Sequence, residues 1–212
     1  MTTLLLVRHG HTDAAGKRLT GRAPGVHLNE LGRRQAERLV ERLEGVRIDA
    51  IVSSPLERCR ETAAPLAKAR GRAVDVRRAW IEVGYGEWTG RSISQLRRTK
   101  LWRRVMFAPS NVRFPGGESL LEVQVRAVDA TLDIAARHAR GTLDVVSHAD
   151  GIRLVVAHLA GMHADHLQRL SIDTASITAF WIAGVEPMVA ASPMPFTPSG
   201  LFGDGVIVEC TS

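Results

Sequence analysis

Two histidines in this chain stand directly after short apolar runs. Leu4, Leu5, Leu6 and Val7 lead into Arg8, His9 and Gly10, and Thr142–Ser147 (TLDVVS) leads into His148, Ala149, Asp150 and Gly151. Runs of this length suit strands of a parallel sheet that is buried on both faces. In open α/β sheets ligands bind in the crevice beyond the carboxyl ends of the strands, so a cation and two imidazoles stand where chemistry is done. Gly10 permits a sharp turn and lets its backbone N–H come close to whatever is bound. A buried histidine by itself is more often a satisfied core residue than a catalyst, so the elements around the pair decide its meaning.

Those elements alternate. Asn29 is a candidate N-cap for a helix in which Ala36, Leu39, Val40 and Leu43 recur at helical spacing opposite Arg33, Arg34, Arg38 and Arg42, with Gly45 at its end. Asp49–Ser53 reads as a second buried strand, and Ser54 and Pro55 as the start of a helix that runs to about Ala69 with Arg58, Arg60, Glu61 and Thr62 in its first turns. Ala73–Arg77 suits an edge strand. Strand, helix, strand, helix is the order of an α/β fold with a parallel sheet. His11–His27 and Trp80–Gly90 are too rich in Gly and small residues for regular elements and read as loops beside the site.

Ser94–Met106 is helical in tendency and strongly basic, with Arg97, Arg98, Lys100, Arg103 and Arg104 around Leu101, Trp102 and Val105. It is either a solvated face or a cap that attracts anionic substrates. After the break at Pro115, Gly116 and Gly117, a long helix carries Leu121, Val125, Val128, Leu132 and Ala135 as the stripe expected to meet the sheet. Ile177–Ala183 and Met188–Ala191 are expected to close the sheet as an antiparallel pair. Residues 1–191 thus read as a single domain, and 192–212 as a Pro- and Gly-rich tail in which Val206–Glu209 suits a strand.

Composition narrows the function classes. The chain has 212 residues and a net charge of +6, carried mostly by Arg, which attracts anions without choosing among them. Cys59 and Cys210 are too few for a disulfide framework and fit no metal spacing, so free thiols are expected. Neither HExxH nor a calcium-loop pattern occurs, and no apolar run approaches the roughly 20 residues of a membrane span. A cytoplasmic protein without metal, membrane or nucleic-acid partner is the expectation. The basic nucleic-acid-binding alternative rests on the Arg-rich helix and lacks the interleaved aromatics of a single-strand platform.

Four separated segments, RHGHT at 8–12, SSPLERCRET at 53–62, EVGYGEWTG at 82–90 and VSHADGIR at 146–153, together resemble the histidine phosphatase superfamily. That group includes cofactor-dependent phosphoglycerate mutases and many small phosphatases. The resemblance extends from Leu4 to Ala183. It implies a three-layer α/β/α sandwich with a mostly parallel central sheet and a small helical cap at 78–118. It implies a metal-independent phosphomonoester hydrolase of the histidine acid type, with no cofactor, a phosphorylated small molecule as substrate and inorganic phosphate as product. His9 would take the phosphoryl group, Arg8, Arg58 and His148 would surround it, and Glu82 would protonate the departing oxygen, with Glu87 as the competing carboxyl. Thr12, Gly21, Arg22 and Ala149 are the further substrate-binding candidates, and the tail is the candidate place for exchange within a homodimer.

The chemistry asks for the same residue types. Phosphoryl transfer spreads charge over three equatorial oxygens, which forked guanidinium donors fit. An imidazole attacks only through a nitrogen without its proton, so its other nitrogen must be held by an acceptor such as a backbone carbonyl. A carboxyl that gives a proton at neutral pH needs a poorly solvated or anionic setting. The alternative within enzymes is a phosphoglycerate mutase. Ala15 and the pair Ala149–Asp150 depart from the mutase pattern, and the interval from Glu82 to His148 is short for a substrate-enclosing segment. A mutase must keep its intermediate from water, so both departures favour hydrolysis.

Overall fold

The computed structural model describes residues 1–182. Five strands form one sheet in the order β3-β2-β4-β1-β5, where β1 is Thr2–Arg8, β2 Ala50–Ser53, β3 Val74–Val76, β4 Thr142–Ser147 and β5 Ile177–Ile182. β1 to β4 run parallel and β5 is antiparallel to β1. The apolar runs read from the sequence are thus the central strands: Leu4, Leu6, Val7, Leu143 and Val145 are wholly shielded from solvent. The partner expected for β5, Met188–Ala191, lies outside the described residues, as does the boundary at 191. Within them, β5 pairs with β1.

Helices cover both faces. α1 (Glu30–Arg42) and α2 (Glu57–Arg70) enclose Leu5, Val7, Ile51 and Val146 on one side. α5 (Leu120–Arg137) and α6 (Ala149–Leu159) enclose Leu4, Leu6, Val52, Leu143 and Val145 on the other. Asn29 caps α1 by accepting from the Gly32 N–H. α2 begins at Glu57 rather than at Pro55, because Leu56 is extended (φ −74°, ψ 143°) and the helix starts only after it.

Within the segment expected as the cap, Val83, Tyr85, Trp88, Leu96, Val112 and Phe114 form an apolar cluster with Leu120, Val123 and Leu154. The helix expected over 94–106 is two helices, α3 (Ile93–Leu96) and α4 (Lys100–Phe107). Thr99 divides them, since its side chain takes the Trp102 N–H and caps the second. Leu101, Trp102 and Val105 of α4 meet the cap cluster, while Arg97, Arg98, Lys100, Arg103 and Arg104 are exposed.

The stripe expected on α5 holds at Val128, Leu132 and Ala135, which pack on the core, and differs in its first turns. Leu121 and Val125 are 42% and 61% exposed, and the buried face is Leu120, Val123, Ala127, Val128, Thr131, Ile134 and Ala135. Two adjacent apolar stripes share this helix, and periodicity alone does not choose between them. The cap cluster, which takes Leu120 and Val123, turns the helix to the second.

Candidate active site

Adjacent parallel strands lie about 4.8 Å apart, so residues just beyond two neighbouring strand ends are held side by side. β1 and β4 are such neighbours, with Arg8 in register with Ser147, and the His9 N–H donates to the Ser147 carbonyl at 2.9 Å. Their next side chains, His9 and His148, therefore meet with ring centroids 5.3 Å apart. Beyond β2, the Ser54 N–H bonds the Val146 carbonyl, which brings the start of α2 and Arg58 to the same place.

The turn at Gly10 is fixed by contact as much as by bonding. A Cβ on Gly10 would lie 2.7 Å from the Gly32 oxygen, and one on Gly32 would lie 2.1 Å from the His11 oxygen, so only glycine fits either position. The Gly10 N–H donates to Thr62 Oγ1 at 2.9 Å and the His11 N–H to Gln35 Oε1 at 2.9 Å. α1, through Gly32 and Gln35, and α2, through Thr62, thus brace the loop that carries His9.

His9 is 7% exposed, and its Nδ1 lies 2.8 Å from the Gly10 carbonyl oxygen. A carbonyl only accepts, so Nδ1 carries the proton and Nε2 keeps its lone pair. That lone pair receives the Arg58 Nε–H at 3.3 Å. Burial, then the Arg58 charge, pushes the His9 pKa down to about 3, so the ring is neutral and nucleophilic at ordinary pH.

His148 is fully buried and carries the complementary arrangement. Arg58 Nη2 can only donate, so His148 Nδ1, 3.2 Å away, is the acceptor, and Nε2–H donates to Ser54 Oγ at 2.8 Å. Burial and Arg58 hold its pKa well below the ordinary value.

Arg58 is 1% exposed, yet no carboxylate among the described residues lies at hydrogen-bond distance from it. Its Nη2 also donates to the Gly21 carbonyl at 2.8 Å, while Nη1 is buried with no partner among the described residues. Arg8 donates through Nη1 to the Ile172 carbonyl at 2.6 Å, and its Nε is likewise buried without a partner among them. Burying a guanidinium costs several kcal/mol unless an anion compensates it. Two such orphaned donors beside two neutral imidazoles define an anion site.

Glu82 supplies the carboxyl of the group. Its side chain is 12% exposed, and Oε2 lies 3.6 Å from His148 Nδ1. With His148 neutral, this approach is a contact and not a salt bridge. Oε1 accepts the Val83 N–H at 2.9 Å. Burial, then the charge of Asp150, raises the Glu82 pKa to about 7 against the opposing pull of Arg58. Glu87, the competing carboxyl, is exposed on the short helical turn Gly86–Trp88.

The remaining candidates divide. Thr12 is buried just after the His9 turn, Gly21 presents its carbonyl to Arg58, and Ala149 is the first residue of α6, next to His148. Arg22 is turned to the protein: its Nε donates to the Glu82 carbonyl at 2.8 Å and its Nη2 to Glu118 at 2.6 Å.

Sequence reasoning missed four groups at the site. Ser54, read only as a helix start, holds the His148 tautomer. Tyr85 Oη donates to Asp150 at 2.7 Å, Arg126 donates to the Glu82 carbonyl, and Glu118 accepts the Gly84 N–H. The glycine pair ahead of Glu118 was the available signal, since a Cβ on Gly117 would lie 2.2 Å from the Gly84 oxygen.

The α/β/α sandwich thus holds two histidines, two arginines and a carboxyl together beyond the carboxyl ends of its strands, around an anion site. The chain matches the model of the histidine phosphatase superfamily (branch 1) over residues 4–191, and it belongs to that family. Phosphoserine phosphatase 1 of Hydrogenobacter thermophilus is 32% identical over 181 residues, spanning 83% of this chain and 84% of that protein. Among solved structures, YhfR of Bacillus stearothermophilus aligns with a TM-score of 0.83 at 30% identity, covering 90% of this chain and 96% of that one. A mycobacterial glucosyl-3-phosphoglycerate phosphatase aligns at 0.76 and 28%, covering 84% and 88%.

Proposed function

We propose that this protein hydrolyses phosphomonoesters of small molecules through a phosphohistidine on His9. The observation that carries the reading is a neutral His9 whose Nε2 lone pair faces the Arg58 guanidinium, while Arg58 Nη1 and Arg8 Nε are buried without a partner among the described residues. A phosphate dianion supplies the charge that these buried donors lack. It also raises the proton affinity of His148, whose Nδ1 then donates to a phosphate oxygen.

In the first step the Nε2 lone pair attacks phosphorus, the P–O bond to the leaving group breaks, and the Glu82 carboxyl gives its proton to that oxygen. In the second, water attacks the phosphohistidine, Glu82 takes its proton, and Nε2 leaves with its electron pair restored. A carboxyl with a pKa near 7 suits both steps, since neither protonation state is scarce at neutral pH. No step calls on a metal or an organic cofactor. Relatives that are phosphatases for phosphoserine and glucosyl-3-phosphoglycerate support hydrolysis over isomerisation. The histidine acid type assigned from the sequence belongs to this proposal, as do a cytoplasmic location and a homodimer.

The test is phosphate release from an aryl phosphate and a panel of metabolite monoesters in chelator, with His9→Ala alongside and 3-phosphoglycerate isomerisation followed in parallel. Hydrolysis that depends on His9, without isomerisation, is the expected result. Dominant isomerisation would replace the reading with a mutase.

A further inference from the structure

Glu82 sits in a loop, and a loop does not by itself hold a carboxyl to the tolerance that proton transfer demands. Its backbone is nevertheless gripped from several sides. Arg22 Nε and Arg126 Nη2 donate to the Glu82 carbonyl at 2.8 and 3.2 Å. The same two guanidiniums meet the Glu118 carboxylate, Arg22 at 2.6 Å and Arg126 at 3.3 Å through each of two nitrogens. Glu118 Oε2 also accepts the Gly84 N–H at 2.9 Å, and the Glu118 N–H donates to the Gly84 carbonyl at 2.8 Å. Arg126 reaches further back, to the Ala79 carbonyl at 2.7 Å.

The three side chains come from different parts of the chain: Arg22 from the long loop after β1, Glu118 from the turn before α5, and Arg126 from α5 itself. Glu118 lies between the two cations and balances one of them. All three are partly buried, with side-chain exposures of 22–31%. The fork of one arginine ties a backbone carbonyl to a carboxylate, which a lysine point charge cannot do.

We propose that Arg22, Glu118 and Arg126 are positioning residues for Glu82, clamping the peptide on its carboxyl side so that its carboxyl meets the leaving-group oxygen. The proposal rests on the reading of Glu82 as the proton donor. It assigns Arg22 to the protein backbone, in place of the substrate contact that the sequence suggested. A general acid must come within about 2.6–3.2 Å of the oxygen it protonates. A shift of about 1 Å at such a group costs on the order of 100-fold.

Leaving-group dependence separates this role from a structural one. An alkyl alcohol needs its proton to depart, whereas 4-nitrophenolate leaves with little help. The experiment measures kcat and KM on 4-nitrophenyl phosphate and on an alkyl phosphate for wild type, Glu82→Gln, Glu118→Gln, Arg22→Lys and Arg22→Met. The expectation for Glu118→Gln is a loss of about 30- to 100-fold in kcat on the alkyl ester with KM within about 2-fold, and under about 3-fold on the aryl ester. Arg22→Met follows the same pattern, and Arg22→Lys, which keeps one of the two bonds, recovers part of the loss. Arg22 is partly exposed, so its pair decides the matter if Glu118→Gln does not fold.

Equal losses on both esters, or a rise in KM alone, overturn the clamp. So does a Glu82→Gln variant that discriminates between the esters while the clamp variants do not, and in that case the acid reading survives. A Glu82→Gln variant that treats both esters alike overturns the acid and the clamp together.

Discussion

Glu82 and Asp144 are both buried carboxyls raised to about pH 7, and the two regions around them are opposite in kind. Glu82 shares its surroundings with Arg8, Arg58, His148 and Asp150, and burial is only the first of several influences on it. Asp144 stands in the middle of β4, in register with Leu5 and Ile51, on the face that α1 and α2 cover. Burial is the sole cause of its shift, and neither oxygen has a hydrogen-bond partner among the described residues. A displaced titration therefore does not mark a site; convergent opposite charge and open donors do. The first carboxyl is the one proposed to move a proton, and the second is a cost of the core.

That contrast is broken or sharpened by substitution. The largest effect is expected within the charged cluster at the nucleophile: His9→Ala lowers kcat on any monoester by at least about 10⁴-fold while the protein stays folded, checked by phosphate release and circular dichroism. Phosphoenzyme trapped from wild type by an alkaline quench, labile to later acid treatment as a phosphohistidine is, and absent from the variant would locate the phosphoryl group. Next, Glu82→Gln lowers kcat on alkyl phosphates by about 10²- to 10⁴-fold, and far less on 4-nitrophenyl phosphate. If Asp144→Asn did the same, the two carboxyls would not differ as described.

Asp144→Asn is expected instead to leave both rates unchanged and to raise stability. The folded-state pKa is above the ordinary value, so the folded protein holds this proton more tightly than the unfolded chain. The penalty is then fully present above about pH 7 and is relieved as pH falls toward the ordinary carboxylate range. Removing the charge is worth about 2 kcal/mol at pH 8, below the full value of the shift because a buried amide is itself left unpaired. Urea unfolding at pH 8 and pH 5 measures it: the gain is present at the first and shrinks at the second.

The two regions also differ in how far the sequence discloses them. His9 and His148 follow short apolar runs that suit buried strands, and Arg58 lies in the first turn of the helix after a third, so the strand order brings these groups together. Nothing comparable signals Asp144, because TLDVVS reads as a buried strand whether or not its one carboxyl finds a partner. The clamp on Glu82, signalled only by the glycine pair ahead of Glu118, was obscure for a different reason. Arg22, Glu118 and Arg126 are far apart in the chain and join only once the cap is folded, and an Arg on a helix reads first as solvated surface. The α5 stripe held at Val128, Leu132 and Ala135 and failed at Leu121 and Val125, since Leu120 and Leu121 are equally apolar and the cap cluster chooses between them.

The smallest effect is the finest test of the contrast. Asp150 is the second influence that raises Glu82, and its own carboxylate is held by Tyr85 Oη at 2.7 Å and by Arg153 at 3.1 Å. Asp150→Asn removes that negative charge and leaves Arg153 less balanced, and both changes favour the ionised form of Glu82. The acid must be protonated to act on free substrate, so kcat/KM falls as pH rises through its pKa, and the substitution moves that fall to lower pH. Burial remains the larger influence, which keeps the expected displacement under about one pH unit. A pH profile on an alkyl phosphate reads it directly. Asp144→Asn on the same profile should move nothing, because no charged group of the site faces the carboxyl it removes; a matching displacement would mean that the two buried acids are coupled through the sheet.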